Sequence, residues 1–340
     1  MSSLGACPPE SPFLSSWSYV VYPLQYSNVF FIPMSILAGY CILVKTPKAM
    51  QPMKWAYFNL HFWISSQCIY FSLLVTPVLR LPTISATFLG LLSAIGVSDV
   101  VQAYIGCSSW IISMSATVTL FENRHQQIQR NRFRLSSSLL RFVIQAFNYL
   151  YSILYPFPVF IDIPDQLSAK KAFLDIVPCP YEDFFTLHFY TFSTDLLVLT
   201  YCALSMMTGL LITVTQIIFY SSTCLYYLVF NKYTGSSKMT LDRQKRFFLG
   251  ILVQVSIPYL LLSPAIIYAS WSMLSGYYSQ KLNNMVMVAM GLYGTVATSA
   301  LLIIHNPYRD YIRKLFGFTK DSSAQTSAVR DQRGVGFASV

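Results

Sequence analysis

Eight stretches of this chain carry no formal charge: 11–44, 55–79, 81–98, 100–121, 142–161, 196–231, 247–280 and 282–308. A run of about 20 predominantly apolar residues is enough to cross the hydrocarbon of a bilayer as a helix. Charged residues make up only 11% of the 340, against roughly a quarter in a soluble domain. So few charges cannot cover a water-facing surface of this size, and lipid becomes the expected solvent. In lipid the backbone must satisfy its own hydrogen bonds, which a helix does within one segment.

Charge then orders the segments. The formal net charge is +10, which in a soluble protein would point to nucleic acid. Here 19 of the 23 Lys and Arg fall into four clusters between apolar runs: 45–54, 124–141, 232–246 and 309–333. Such clusters mark cytoplasmic loops lying against anionic lipid, so membrane lipid is the expected partner and nucleic acid is not. With all four clusters on one side, an even number of spans separates each neighbouring pair. Run 81–98 would break that parity. It opens Leu81-Pro82, contains Gly90 and Gly96 and is the shortest, so it reads as an apolar outer loop or a re-entrant piece. The other runs give seven spans with the N-terminus outside: about 24–44, 55–79, 100–121, 142–161, 196–231, 247–273 and 284–304. No Lys or Arg precedes Lys45. A cleavable signal peptide has a basic start, so the first span is expected to serve as the targeting signal.

Run 196–231 has 36 residues. As one helix it would reach about 54 Å, against a hydrocarbon core of about 30 Å. It is expected to project past the inner face, or to tilt and bend near Gly209. After the last span comes HNPYRDYIRKLFGF, residues 305–318. Asn306 reads as an N-cap and Pro307 suits a first helical turn. Tyr308, Tyr311, Ile312, Leu315 and Phe316 share one helical face, with Arg309, Arg313 and Lys314 largely off it. This predicts an amphipathic helix on the inner membrane surface. The expected fold class is therefore an all-α integral membrane protein. It is a seven-transmembrane helix bundle with a C-terminal interfacial helix, the architecture of a G-protein-coupled receptor. The regions expected are an extracellular segment 1–23, the bundle 24–304, the interfacial helix 305–318 and a disordered cytoplasmic tail 319–340.

The chain also resembles the nematode serpentine chemoreceptors of class H. The matching stretches are KTPKAMQPMKW (45–55), NLHFW (59–63), LFENR (120–124), DIPDQ (162–166), VPCP (177–180), VQVSIPYLLL (253–262) and HNPYRDYI (305–312). They occur in family order across nearly the whole chain. The resemblance implies a chemosensory receptor for a small molecule, at the plasma membrane of sensory neurons and in their cilia, signalling through a heterotrimeric G protein.

Candidate residues follow from where charges and polar groups fall. Asp99 and Asp195 stand near the outer ends of the third and fifth spans. Carboxylates at membrane depth are functional candidates, here as ligand contacts, while a solvated helix cap is the alternative. Gln254 and Tyr259 are further ligand candidates. Glu122 and Arg124 occupy the place where rhodopsin-like receptors carry an acid followed directly by arginine. Asn123 intervenes here, and residues two apart do not share a helix face, so no lock between the two is expected. Arg124 is a candidate for meeting a G protein, with anchoring of a basic loop as the alternative. His61, near the inner end of the second span, and Arg309 of the interfacial helix are the other coupling candidates. Gln67, Gln145, Asn148 and Gln216, polar within spans, are expected to bond between helices.

By this topology Cys7 and Cys179 are the two cysteines clearly outside. A disulfide between them is expected to tie the N-terminal segment over the ligand entrance, with two free thiols as the alternative. No Cys/His spacing suits zinc and no HExxH motif occurs, so neither a metal or other cofactor nor an enzyme is expected. The seventh run has no lysine for a retinal Schiff base. A transporter should show related halves, and none is visible. A ligand-gated channel or a transporter of small molecules remains the alternative function.

Overall fold

Apolar runs with few breakers become rods, and the computed structural model of the protein shows eight principal helices. It describes residues 12–128, 131–177, 180–229 and 238–317, with only the backbone described at 49, 238–244, 247 and 258. The helices are α1 (Ser18–Val44), α2 (Lys54–Ile69), α3 (Asp99–Gln127), α4 (Ser138–Leu154), α5 (Leu196–Val229), α6 (Lys238–Ser275), α7 (Gln280–Ile304) and α8 (Asn306–Leu315). Among the described residues five segments are long and apolar enough to cross a membrane: α1, α3, α5, α7 and Phe248–Ser275 of α6. Helix α2 has only 16 residues, but a π-helical turn at Tyr70–Leu74 carries it further. Helix α4, with 17 residues, lies near the lower limit of about 17 for a span.

The helices form a ring in which α7 packs on α6, α1 and α2, and α3 packs on α2, α4 and α5. Helix α3 is the inner one: 67% of its apolar window is buried, against 33% for α1 and α5. The outward faces are apolar, with Phe30 78%, Leu197 78% and Leu260 74% exposed. Exposed apolar area on this scale needs lipid to cover it.

The polar side chains inside the spans bond across helix pairs. Gln67 of α2 accepts from Ser113 of α3. Gln145 of α4 accepts from Thr119 of α3 at 2.7 Å. Asn148 of α4 and Gln216 of α5 exchange two amide bonds of 3.0 Å. These bonds give each of the four side chains a partner on a neighbouring helix, although Gln67 Nε2 and Gln145 Nε2 are buried without one.

Several boundaries and devices differ from the expectations. Helix α1 starts at Ser18 rather than near 24, because Asp183 accepts the Trp17 N–H at 2.7 Å just ahead of its first turn. Helix α5 is unbroken over 34 residues, and its last turns stay packed, with Cys224 and Leu228 buried and the Tyr227 hydroxyl accepting the Arg132 N–H at 2.9 Å. Gly209 serves close packing rather than a break: a Cβ there would lie 2.5 Å from Ile111. The N-cap of α8 is the extended residue His305, not Asn306. Asn306 begins the helix and its amide oxygen accepts from Arg309 at 2.7 Å.

Run 81–98 is not a re-entrant piece. Strands β1 (Pro77–Leu79) and β2 (Ile84–Phe88) form an antiparallel hairpin, Val78 opposite Thr87. Strand β3 (Tyr190–Ser193), from the connection between α4 and α5, pairs with β2 and completes a three-stranded sheet with a bulge at Ile84/Ser85. The hairpin folds back tightly onto the end of α2. A Cβ at Gly90 would lie 2.3 Å from the Leu74 carbonyl oxygen, so only glycine fits. The sheet lies across one end of the bundle, called here the hairpin end; the opposite end carries the basic connections and α8.

Candidate functional site

The bundle holds functional features at both ends. At the hairpin end a cavity of about 140 Å³ lies beneath the sheet. Helix α3 supplies Gly106 and Trp110, α6 supplies Ala265 and Ala269, and α7 supplies Met287 and Met290. Phe88 of β2 and Phe192 of β3 form part of the roof, their ring centroids 6.2 Å apart. The sheet is therefore a lid of hydrogen-bonded backbone with an apolar underside.

Arg80 holds this lid together. Its side chain is only 2% exposed. It donates to Thr87 Oγ1 at 2.9 Å and to the Asp183 carbonyl at 3.1 Å, and its guanidinium lies 5.0 Å from the Phe189 ring centroid. Burial lowers its pKa to about 10, opposed by Tyr278 and Asp183, so the charge persists at neutral pH. Burial also raises the Asp183 carboxyl, against the opposing Trp17 N–H and Arg80 charge. One arginine thus connects the hairpin, the α4–α5 connection and, through Asp183, the start of α1.

The ligand candidates read from sequence are not brought together. Asp99 begins α3 beside His188, 3.7 Å away, at the rim and not on the cavity wall. Asp195 is exposed; its Oδ1 accepts the Leu197 N–H at 2.7 Å, which makes it the cap of α5. A carboxylate at a helix start meets free N–H groups and the positive end of the helix dipole, which accounts for both positions. Tyr259 lies beside Thr117 of α3, below the cavity. Gln254 lies 2.7 Å from His305 Nε2, nearer the basic end.

What sequence reasoning missed was the cavity wall itself. Met287 and Met290 are three apart on α7, on one helical face, and the Met287 side chain is 1% exposed. That spacing was a legible signal, although it cannot say what the face opposes. Arg80, a lone base in an outer apolar connection, was another.

At the basic end Glu122 and Arg124 point apart, as their spacing requires. Arg141 of α4 gives Glu122 two bonds, Nε to Oε1 at 2.7 Å and Nη2 to Oε2 at 3.1 Å. Arg124, 8% exposed, turns inward toward Tyr57 of α2 and Cys224 of α5, with Nη1 3.3 Å from Gln127 Oε1. His305 lies 3.4 Å from the Tyr57 hydroxyl. His61 sits one turn above Tyr57. It donates through Nε2 to the Ser35 carbonyl at 2.9 Å, joining α2 to α1. Tyr57, His61, Gln254 and Thr298 border a small void of about 10 Å³, room for about one water. Tyr308 of α8 is fully buried and its hydroxyl lies 2.9 Å from Thr46 Oγ1, which docks α8 under α1. Arg309 bonds only within α8 among the contacts described, to Asn306 at 2.7 Å. Cys7 and Cys179, and with them the expected disulfide, lie outside the described residues, as do 230–237 and the tail from 318.

The whole arrangement superposes on the crystal structure of squid rhodopsin with a TM-score of 0.61 at 12% sequence identity, over 99% of this chain and 94% of that one. Seven spans with an eighth helix across one end, in the rhodopsin fold, make this a multi-pass membrane protein of the G-protein-coupled receptor class. The profile of the serpentine type 7TM GPCR chemoreceptor Srh family matches residues 15–318, and the chain belongs to that family. It is 33% identical over 320 residues to serpentine receptor class H-72 of Caenorhabditis elegans, covering 93% of this chain and 91% of that protein.

Proposed function

We propose that this receptor binds a small molecule in the cavity at the hairpin end and passes its occupancy to a heterotrimeric G protein at the basic end. The observation that carries the reading is the course of α3. Gly106 and Trp110 form cavity wall, and Glu122 and Arg124 of the same unbroken helix lie in the basic-end cluster. From Gly106 to Arg124 the helix spans about 27 Å, close to a hydrocarbon thickness. A ligand acts here by its differential affinity for two arrangements of the bundle. Tyr57, Arg124, His305 and Gln254 are the groups whose contacts differ between those arrangements. Family membership supports a chemosensory role, which is not enzymatic, in the plasma membrane of sensory neurons and their cilia. The hairpin end and N-terminus face outside; the basic connections and α8 face anionic lipid and G protein inside. Residues 305–318 act as the interfacial unit and 319–340 as the cytoplasmic tail.

The test is a dose–response series in cells with a G-protein readout. Trp110→Ala should shift the agonist midpoint, and Arg124→Ala should lower the maximum response while agonist binding persists. A response that survives both changes unaltered would sink the reading. Surface staining of an N-terminal tag without permeabilisation checks the orientation.

A further inference from the structure

The cavity at the hairpin end has a one-sided chemistry. Among the described residues that line it, none is Asp, Glu, Lys, Arg or His. Its hydroxyl and amide side chains are already engaged, while the Trp110 indole N–H takes part in none of the bonds described. Gln102, fully buried, donates through Nε2 to the Val97 carbonyl at 2.8 Å and exchanges bonds with Ser93. Thr83 donates to the Arg80 carbonyl at 3.0 Å and lies 2.7 Å from Ser85 Oγ, which in turn donates to Thr191. Tyr155 gives its hydroxyl to the Cys107 carbonyl at 2.8 Å. Hydrocarbon, aromatic rings and sulfur remain, the last from Cys107, Cys202, Met206, Met273, Met287 and Met290. The nearby charges are committed elsewhere, Arg80 to Thr87 and Asp183 and Asp99 to the side of His188.

We infer that the ligand of this site is a neutral, apolar, polarisable molecule about the size of one substituted aromatic ring; this rests on the reading of the cavity as the ligand site. A charged group placed there would be desolvated without a partner, at a large penalty. A ligand rich in hydrogen-bonding groups would leave most of them unpaired, since the wall offers little beyond the single Trp110 N–H. Thioethers and thiols make favourable contacts with ring edges, which selects for aromatic or similarly polarisable compounds. Size follows from volume. An engineered cavity of about 150 Å³ lined by Leu, Ile and Phe stays dry and takes up benzene, and this one has about 140 Å³. Such molecules partition into lipid, so the lid need not open to water for them to reach the bundle.

The experiment measures binding directly, by fluorine NMR on the full-length receptor in lipid nanodiscs. The probes are para-fluorotoluene, para-fluorobenzylamine and para-fluorobenzoate, one ring in three charge states. Ala269→Phe fills the cavity from α6 and Ala103→Phe fills it from α3; both retain a testable protein if helical circular dichroism is unchanged, and either alone suffices. Saturable binding of para-fluorotoluene is expected. It should weaken at least about tenfold in the filled variants, and the charged probes should bind about 100-fold more weakly to the unaltered receptor. Charged probes binding as well as the toluene, toluene binding unchanged by filling, or no saturable binding of any probe would each overturn the inference. Signalling plays no part in this readout. A receptor that couples to G protein but prefers the amine overturns the ligand class alone. One that binds para-fluorotoluene but answers no agonist overturns the receptor reading alone.

Discussion

Glu122 of α3 and Arg141 of α4 are joined by a two-pronged ion pair, 2.7 Å and 3.1 Å, with the carboxylate side chain 5% exposed and the guanidinium 34% exposed. The acid is thereby held on the outer flank of α3 while Arg124, two residues on, faces the centre. Removing one partner of a buried pair costs about 3–5 kcal/mol, but an open guanidinium reduces this to about 1–2 kcal/mol. Glu122→Gln and Arg141→Gln should each cost stability of that order, read as a lower thermal midpoint of the purified receptor. The double variant should be no worse than either single one. Additive losses would show that the two side chains act independently.

Arg80 should prove to be the fastener of the lid. Arg80→Met keeps much of the apolar stem and removes the charge and its two bonds, at 2.9 Å and 3.1 Å. Loss of charge-assisted bonds to buried acceptors costs about 2–3 kcal/mol. Hydrogen exchange should rise over 77–88 and 183–193 together, because one side chain serves both. A rise confined to the hairpin would mean that β3 is held by its backbone bonds alone.

Helix α7 lies so close to α2 that a Cβ at Gly294 would come 2.4 Å from Cys68 Cβ and 3.1 Å from the Ile64 carbonyl oxygen. The first of these cannot be relieved by a rotamer change, since both atoms are fixed to backbone. Gly294→Val should cost at least the about 1–3 kcal/mol of ordinary overpacking and reduce the receptor reaching the cell surface. Gly276→Ala, at a loop position with φ +73° and open space around it, strains only the local backbone, by about 1 kcal/mol. Surface levels of the Gly294 variant equal to those of the Gly276 variant would contradict the packing.

Helix α8 rests on two kinds of contact. Tyr308 is inserted under α1, and Tyr311 stands beside Tyr40 with the Lys45 ammonium 4.6 Å from its ring centroid. Leu315 and Phe316 are 55% and 63% exposed, toward the expected lipid. Tyr311→Asp with Leu315→Asp places two charges in that face and should release α8 from the headgroup layer. Trafficking or signalling should fall while the seven spans still insert. Arg309, Arg313 and Lys314 would each forfeit about 1 kcal/mol of attraction to an anionic surface. Normal delivery and response in the double variant would mean that α8 has no role at the membrane.

Much of this protein is legible in one dimension. A charge-free run of sufficient length must leave water, and the parity of basic clusters excluded 81–98 as a span before any contact was known. Those properties are sums over adjacent residues. The divergence of Glu122 and Arg124 is equally local, since a helix places neighbours two apart about 200° from each other. What the chain could not disclose is whatever needs two distant segments. Asp195 reads as an intramembrane carboxylate in sequence; only its 2.7 Å bond to the Leu197 amide shows that it caps a helix. The pairing of Ser85 with Thr191 closes the lid across more than 100 positions. The partner of Glu122 was one arginine among five in its cluster, and helix packing chose Arg141. The apolar cavity belongs to no single helix. Its walls come from the turn and residue that follow α2, from α3, α5, α6 and α7, from the segment after α4 and from the sheet, and hydropathy cannot distinguish an apolar side chain facing lipid from one facing a void, because both leave water equally.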